Sequence, residues 1–215
     1  MAEPLAGRHV LITAGPTREP IDPVRYISNH SSGQQGYAIA SACAALGARV
    51  TLVSGPTALA DPEGMSVVRI ETALEMLAAV EAALPADVFI AVAAVADWRP
   101  AAPSDTKIKA DKASVSSLPL VENPDILKTI SQLAKGRPGL VVGFAAETHD
   151  VEALATAKRL RKGCDWIVAN DVSGDVMGGT ENAVTLVTPQ GSEHWQRAPK
   201  GEIAARLASR IAGAL

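Results

Sequence analysis

The chain has 215 residues, a formal net charge of −3, and a composition of 47% hydrophobic and 20% charged residues. That is enough chain for one large domain with a substantial core, and the slight acidity argues against a protein that lives on a nucleic-acid backbone. Aromatic residues make up only 3%, so the core has to be built from Ala, Val, Leu and Ile, and no apolar stretch approaches the ~20 residues of a membrane helix.

Residues 1–6 read as a linker without the apolar core of a signal peptide, which points to a cytoplasmic protein. The first strand is expected over His9–Thr13, followed by a proline-rich loop from Gly15 to Pro23. The polar turn Asn29-His30-Ser31-Ser32-Gly33 comes next, then an alanine-rich helix from Gln34 to Leu46 with Ile39, Cys43 and Leu46 on one stripe. Further strands are predicted at Arg49–Val53, Val67–Ile70, Val88–Ala93, Leu140–Phe144 and Trp166–Ala169. Several are continuously apolar, as parallel strands covered on both faces should be. A capping box at Thr72 and Glu75 opens a second helix whose apolar positions are Ala73, Leu77, Val80 and Leu84. Asn123-Pro124-Asp125 reads as cap, first-turn proline and acid of a third helix that stops at Gly136. The fourth runs from Asp150 to a Gly163 stop, with Lys158, Arg159, Arg161 and Lys162 near its end.

Past residue 170 the period changes to that of an antiparallel hairpin, spanning 182–197, with a closing helix from Lys200 to Ala212. The segment 98–122 shows no sustained periodicity. It is interrupted by three prolines and by Lys107, Lys109 and Lys112, and its length marks it as a functional lid. Cys43 and Cys164 lie far apart in apolar patterns without metal-ligand spacing, so both read as buried small hydrophobes. The fold class is α/β: one Rossmann-like, doubly wound, mainly parallel sheet with helices on both faces, a C-terminal hairpin and a lid.

A strand, a glycine-bearing polar turn and a helix start make an anion site, because free N–H groups and the helix dipole both favour negative charge. A nucleotide's phosphates are the natural occupant. The triplet Gly-Pro-Thr at 15–17 recurs at 55–57, each copy just past a strand's carboxyl end, where open α/β sheets bind ligands. A P-loop is excluded by the missing G-x-x-x-x-G-K-[ST]. A nicotinamide or flavin fold is disfavoured, since no G-x-G-x-x-G follows the first strand and Val53-Ser54-Gly55-Pro56 offers no acid for a ribose. His30, His149 and His194 show no metal or triad spacing.

Leu11–Asp22 together with Asn29–Gly33 resembles phosphopantothenate–cysteine ligase. So do Ala93–Asp97, Lys107-Ile108-Lys109, Asn123–Ile126, Gly143–Thr148 and Asn170-Asp171-Val172. The resemblance runs in order from about residue 6 to the end, and it implies a CTP- and Mg²⁺-dependent ligase. Such an enzyme joins 4′-phosphopantothenate to L-cysteine through an acyl-cytidylate, as a step of coenzyme A biosynthesis. It further implies a homodimer, and in many bacteria fusion to a flavin-dependent decarboxylase.

The same resemblance carries roles to particular positions. Asn29 would handle the acyl-cytidylate, and Lys107 would bind the triphosphate and assist the cysteine step. Gly15, Ser31, Ser32 and Gly33 would supply phosphate contacts. Ala91, Val92, Ala93, Asp97, Val121, Glu122, Asn123, Pro124 and Phe144 would line the nucleotide, with Lys158 and Lys162 reaching it from one helix face. Arg159 and Arg161 would face away. Ala110 stands where the family often has a lysine, and Trp98 where tyrosine is common. Magnesium would ride on the triphosphate without a dedicated protein ligand. The competing readings are a nucleotide-binding regulatory module and a nicotinamide-dependent reductase.

Overall fold

A computed structural model describes residues 3–109, 117–171 and 179–215. Ala110, Lys112 and Val172 therefore lie outside the described residues.

The six parallel strands are β1 (His9–Ala14), β4 (Arg49–Ser54), β5 (Ser66–Arg69), β6 (Val88–Ala91), β9 (Leu140–Glu147) and β10 (Trp166–Asp171). Two small ribbons stand apart from the main sheet. One pairs β2 (Arg18–Asp22) with β3 (Arg25–Ser28), and the other pairs β7 (Trp98–Pro100) with β8 (Leu120–Glu122). The C-terminal hairpin is β11 (Glu181–Thr188) with β12 (Gly191–Pro199). The helices are α1 (Gln34–Ala45), α2 (Ala73–Ala82), α3 (Ile126–Ser131), α4 (Val151–Lys162) and α5 (Lys200–Ala212). Among the described residues no helix is long and apolar enough to cross a membrane.

The eight-stranded sheet runs β12-β11-β10-β9-β6-β1-β4-β5. Counting the parallel strands in chain order gives the doubly wound sequence 3-2-1-4-5-6, whose direction of winding reverses between β1 and β6. Alternate residues of the central strands bury on opposite faces. Val10, Ile12, Val88, Ile90, Val142 and Val168 join the core beneath α1 and α5. Leu11, Phe89, Val141 and Ile167 join the core beneath α2, α3 and α4. Two-sided burial is why these strands read as unbroken apolar runs rather than as alternation. Cys43 and Cys164 are both buried free thiols, and burial pushes them up to about 12 and about 11.

Most expected elements are present with shifted ends, and three readings need correction. The proline-rich loop is a hairpin, because Asp22 accepts from the backbone N–H groups of Val24 and Arg25, both at 2.9 Å, and so closes a turn that the two prolines obscure. The third helix is capped by Asp125, which accepts from the Lys128 N–H at 3.0 Å. It spans six residues and ends at Gln132 rather than Gly136. Asn123 is not the cap: its side-chain amide donates to the Ala96 carbonyl at 2.8 Å. The segment 98–122 is rooted in the β7–β8 ribbon instead of being irregular throughout. The capping box of α2 is present, with the Glu75 N–H to Thr72 Oγ1 at 3.2 Å and the Thr72 N–H to Glu75 Oε2 at 3.1 Å. That helix stops at Ala82, so Leu84 falls beyond it. Leu5 is fully buried and donates its N–H to Leu46 O at 2.8 Å, which docks the first turn against the end of α1.

Candidate functional site

A cleft of about 1040 Å³ opens at the carboxyl end of the parallel strands, over the point where the strand order reverses. Its floor is the chain leaving β1 and β6. Ala94 donates its N–H to Gly15 O at 2.9 Å, Thr17 donates to Ala94 O at 3.3 Å, and Ala96 donates to Thr17 Oγ1 at 3.0 Å. The backbone of 91–97 is thereby laced to the loop after β1.

The glycine fingerprint missing from the sequence is present in space. The β2–β3 hairpin is inserted between Gly15 and Gly33, and the chain returns so that a Cβ on Gly33 would lie 3.4 Å from Gly15 Cα. Gly15 and Gly33 have φ of 75° and 79°, and Gly33 caps α1 without a side-chain bond. Gly36 sits so close to β1 that an added Cβ would be 2.5 Å from Ala14 Cβ. Together they stand in the places of the three glycines of a dinucleotide turn, which in that turn shape the chain, leave room for a phosphate and let helix meet strand.

What separates this site from a dinucleotide site is the second Gly-Pro-Thr. Thr57 Cγ2 lies 2.9 and 2.7 Å from where Cβ atoms on Gly15 and Gly33 would stand, and a Cβ on Gly55 would fall 1.8 Å from Pro16 O. The two triplets thus pack on each other and fill the end of β4, where a dinucleotide's ribose would rest. The strand itself ends in Ser54 rather than an acid, and Ser54 Oγ donates to Gly55 O at 2.9 Å. The cleft extends the other way, over β6, β9 and β10.

One wall is the start of α3 and the last turns of α4. Lys158 donates to Phe144 O at 2.9 Å, and Lys162 pairs with Asp125. Burial, reinforced by repulsion from Lys162, holds the Lys158 ammonium below the ordinary lysine range despite attraction from Glu147. Burial also works to raise the Asp125 carboxyl, but the Lys162 bond and the Lys128 N–H outweigh it, so Asp125 stays below the usual carboxylate range. The opposite wall is the start of α1 and of α5. There Lys200 donates to Gln34 Oε1 at 3.4 Å, and Asn182 donates to Gln35 Oε1 at 2.9 Å. Two cationic walls around a glycine turn suit an extended polyanion.

Of the residues expected at the site, Gly15, Ser31, Ser32, Gly33, Ala91, Val92, Ala93, Asp97, Glu122, Asn123, Pro124, Phe144, Lys158 and Lys162 line the cleft. Asn29, Lys107 and Val121 do not. Asn29 stands at its edge, exposed, and donates to Ala94 O at 3.0 Å. Lys107 is exposed, beside Ile108, whose N–H donates to the buried Asp22 carboxylate at 3.2 Å. Val121 is exposed on β8. Arg161, expected to face away, lines the cleft with Lys158 and Lys162, whereas Arg159 does not. A helix turn of 3.6 residues brings position i+3 onto the same face as i+4, which is the signal that assignment overlooked. Gln34, Gln35, Asn170, Asn182 and Lys200 also line the cleft. They come from four elements, α1, β10, β11 and α5, and no spacing in the sequence joins them.

Asn123 is held in place from two sides: its N–H donates to the backbone Asp97 O at 2.8 Å and its Oδ1 accepts from the Arg99 guanidinium at 3.1 Å. Among the described residues no group of three or more His, Cys, Asp or Glu could hold a metal ion.

The chain matches the DNA/pantothenate metabolism flavoprotein C-terminal domain over residues 5–215. It is similar to the Coenzyme A biosynthesis bifunctional protein CoaBC of Vibrio vulnificus (strain YJ016), 49% identical over 195 residues, covering 89% of this chain and 48% of the relative. With the protein of the same name from Escherichia coli (strain K12) it is 50% identical over 190 residues, covering 86% of this chain and 47% of the relative. The chain thus spans about half the length of these curated relatives. The crystal structure of the C-terminal domain of Coenzyme A biosynthesis bifunctional protein CoaBC superposes with a TM-score of 0.82 at 41% identity, covering 99% of this chain and 97% of that one.

Proposed function

The chain belongs to the family of DNA/pantothenate metabolism flavoprotein C-terminal domains, and we propose that it acts in coenzyme A biosynthesis as a CTP-dependent phosphopantothenate–cysteine ligase. A carboxylate oxygen of 4′-phosphopantothenate attacks the α-phosphorus of CTP, the bond to pyrophosphate breaks, and an acyl-cytidylate forms. The amine of cysteine then attacks the acyl carbon, the bond to the CMP oxygen breaks, the nitrogen loses a proton, and an amide results. The problem is electrostatic, because the carboxylate and the triphosphate are both anions that must be brought within bonding distance.

The observation that carries this reading is the cleft's construction. A re-formed glycine turn and the Lys158–Arg161–Lys162 wall flank one floor, while the place of a dinucleotide's ribose is filled by Thr57 and its loop. The reductase reading gains from the three-glycine turn and loses to that plug and to the missing acid. In the favoured reading the half-buried Lys158 and Lys162 hold phosphoryl oxygens, and Phe144 and the backbone of 91–93 border the nucleoside. The Ser31–Gly33 turn donates N–H and hydroxyl groups. Asn29, anchored to Ala94 O, offers its remaining carbonyl and N–H to the reacting centre.

The carboxylates on the cleft wall suit an ion that arrives with the nucleotide. Asp125 is engaged by Lys162, while Asp97 and Glu122 have no ion-pair partner among the described residues. Magnesium would be held mainly by phosphate oxygens and water near Asp97, and would neutralise charge on the triphosphate.

A homodimer is supported by the apolar face that the two ribbons present. Val24, Tyr26, Trp98, Leu120 and Val121 are exposed large apolar side chains of the two ribbons, Trp98 and Leu120 sharing a face of the second, and β2 lies against β7. Lys107 is exposed next to Ile108, which is tied to Asp22 at the end of β2, and we assign it to a triphosphate across the subunit boundary. The bifunctional relatives are in keeping with association with a flavin-dependent decarboxylase.

Pyrophosphate release tests the proposal: it should require CTP together with 4′-phosphopantothenate, and should occur with cysteine left out. Release that ignores 4′-phosphopantothenate, or no release, would defeat the ligase reading.

A further inference from the structure

We propose that Asp22 is a positioning residue for Lys107. One oxygen of its carboxylate closes the β2–β3 turn, while the other, together with Arg25, clamps the backbone of Ile108 and so fixes where the lysine is presented. The inference rests on the ligase reading and its assignment of Lys107 to a triphosphate.

The two oxygens have separate partners. Oδ1 accepts from the Val24 and Arg25 N–H groups, both at 2.9 Å, which is all that the hairpin turn requires. An asparagine would close such a turn as well. The residue is instead an acid whose side chain is wholly buried, and burying a carboxylate is costly unless its charge is met. Oδ2 meets it. That oxygen accepts from the Arg25 guanidinium, through Nε at 3.1 Å and through Nη2, and from the Ile108 N–H at 3.2 Å. Arg25 Nη2 donates in addition to Ile108 O at 3.3 Å. Both backbone groups of Ile108 are thus held by side chains of the hairpin, 86 and 83 residues away in the chain.

A second anchor lies four residues upstream, where the Ser104 N–H donates to Ile21 O at 2.9 Å. Between the anchors, Ser104 Oγ donates to Thr106 O at 2.7 Å and accepts from the Thr106 N–H at 3.3 Å. The loop 104–108 is therefore tied at both ends to Ile21-Asp22, and Lys107 immediately precedes the second tie. Ile108 is half-buried, whereas Lys107 and Lys109 on either side of it are exposed. Such a support fixes the backbone and leaves the ammonium to solvent, as suits a cation that meets a phosphate outside its own fold. The hairpin's other strand, β3, runs into Asn29, so both residues assigned to the chemistry stand on one support.

Asp22→Asn separates the two roles, because the amide keeps an acceptor for the turn and puts an NH₂, which cannot accept, in place of Oδ2. CTP affinity is measured by calorimetry in wild type, D22N, K107A and the double variant. D22N should weaken binding about fivefold to thirtyfold, the cost of ordering about one residue of backbone on binding. In the K107A background the same change should cost less than about twofold, since no lysine remains to be positioned. The Ile108 amide of the wild type should exchange its hydrogen slowly, and D22N should speed that exchange about tenfold or more. Equal losses from D22N with and without Lys107 would overturn the proposal, because a merely structural role multiplies through both backgrounds. Unchanged CTP affinity in D22N, or open-chain exchange at Ile108 in the wild type, would overturn it too, the latter even if the variant did not fold. A wild type that binds CTP with this coupling but releases no pyrophosphate in the presence of 4′-phosphopantothenate would defeat the ligase reading and leave the clamp standing.

Discussion

Replacing Gly36 by Ala tests whether α1 must approach β1 closely for the glycine turn to form. In a helix, Gly→Ala ordinarily stabilises by about 0.5–1 kcal/mol. Here the new Cβ would sit 2.5 Å from Ala14 Cβ and 3.2 Å from Ala14 Cα. That is about 1 Å inside ordinary contact, against atoms that cannot rotate away. Overpacking of this kind costs about 1–3 kcal/mol, so the net expectation is a loss of about 1–2 kcal/mol. For a chain of this size that lowers Tm by about 2–8 °C. Gly201 in α5 is the control, since a Cβ there meets nothing within 4 Å, and G201A should raise Tm by about 1–4 °C. Thermal unfolding followed by circular dichroism reads both. The double variant A14G/G36A removes the clash, and a coupling of about 1 kcal/mol or more should appear in the four-way cycle. If G36A stabilises as G201A does, the close approach is not a constraint and the account of the split turn fails.

Lys158→Ala should weaken CTP binding about tenfold or more by calorimetry, and Arg161→Ala should weaken it less, since Arg161 is more exposed. Arg159→Ala should leave it unchanged, and equal losses at 158 and 159 would refute the assigned wall. Asn29→Ala should lower turnover more than CTP affinity; unchanged turnover would remove it from the mechanism. Asp22 accepts from Arg25, Val24 and Ile108, and the Arg25 guanidinium first among them holds its carboxyl well below the usual carboxylate range. A depressed carboxyl contributes stability that is complete above its unfolded pKa of ~3.9 and is lost as pH falls toward its folded value. Asp22→Asn should therefore flatten the stability profile below about pH 4, and an unaltered acid limb would contradict this. The two thiols, raised to about 12 and about 11 by burial, should resist Ellman's reagent at pH 8 until the protein unfolds; rapid labelling of the native state would be inconsistent with their packing.

The legibility of each feature follows the range of the force that makes it. α5 begins and ends where its pattern predicts, and the capping box of α2 does too, because caps and helical stripes are contacts within a few residues of chain. The central strands were readable as apolar runs because each is buried on both faces. The β2–β3 hairpin was not, since Pro20 and Pro23 mask the pattern and its stability comes from Asp22 reaching backbone and Ile108 together. Asn123 looked like a cap because its residue type suits one, yet a single hydrogen bond to Ala96, 27 residues away, engages it elsewhere.

From the sequence alone came the α/β class, the glycine-bearing turn at the start of α1 and fourteen of the residues that line the cleft, all products of local pattern and of motifs that stand in order along the chain. Tertiary structure alone decided that Gly15 meets Gly33 across an inserted hairpin, that the second Gly-Pro-Thr closes the end of β4, and that Lys200, Asn170 and Asn182 line one cleft. Those are juxtapositions of residues tens of positions apart, set by strand order and helix docking, and no periodicity along a chain encodes which distant loops will touch.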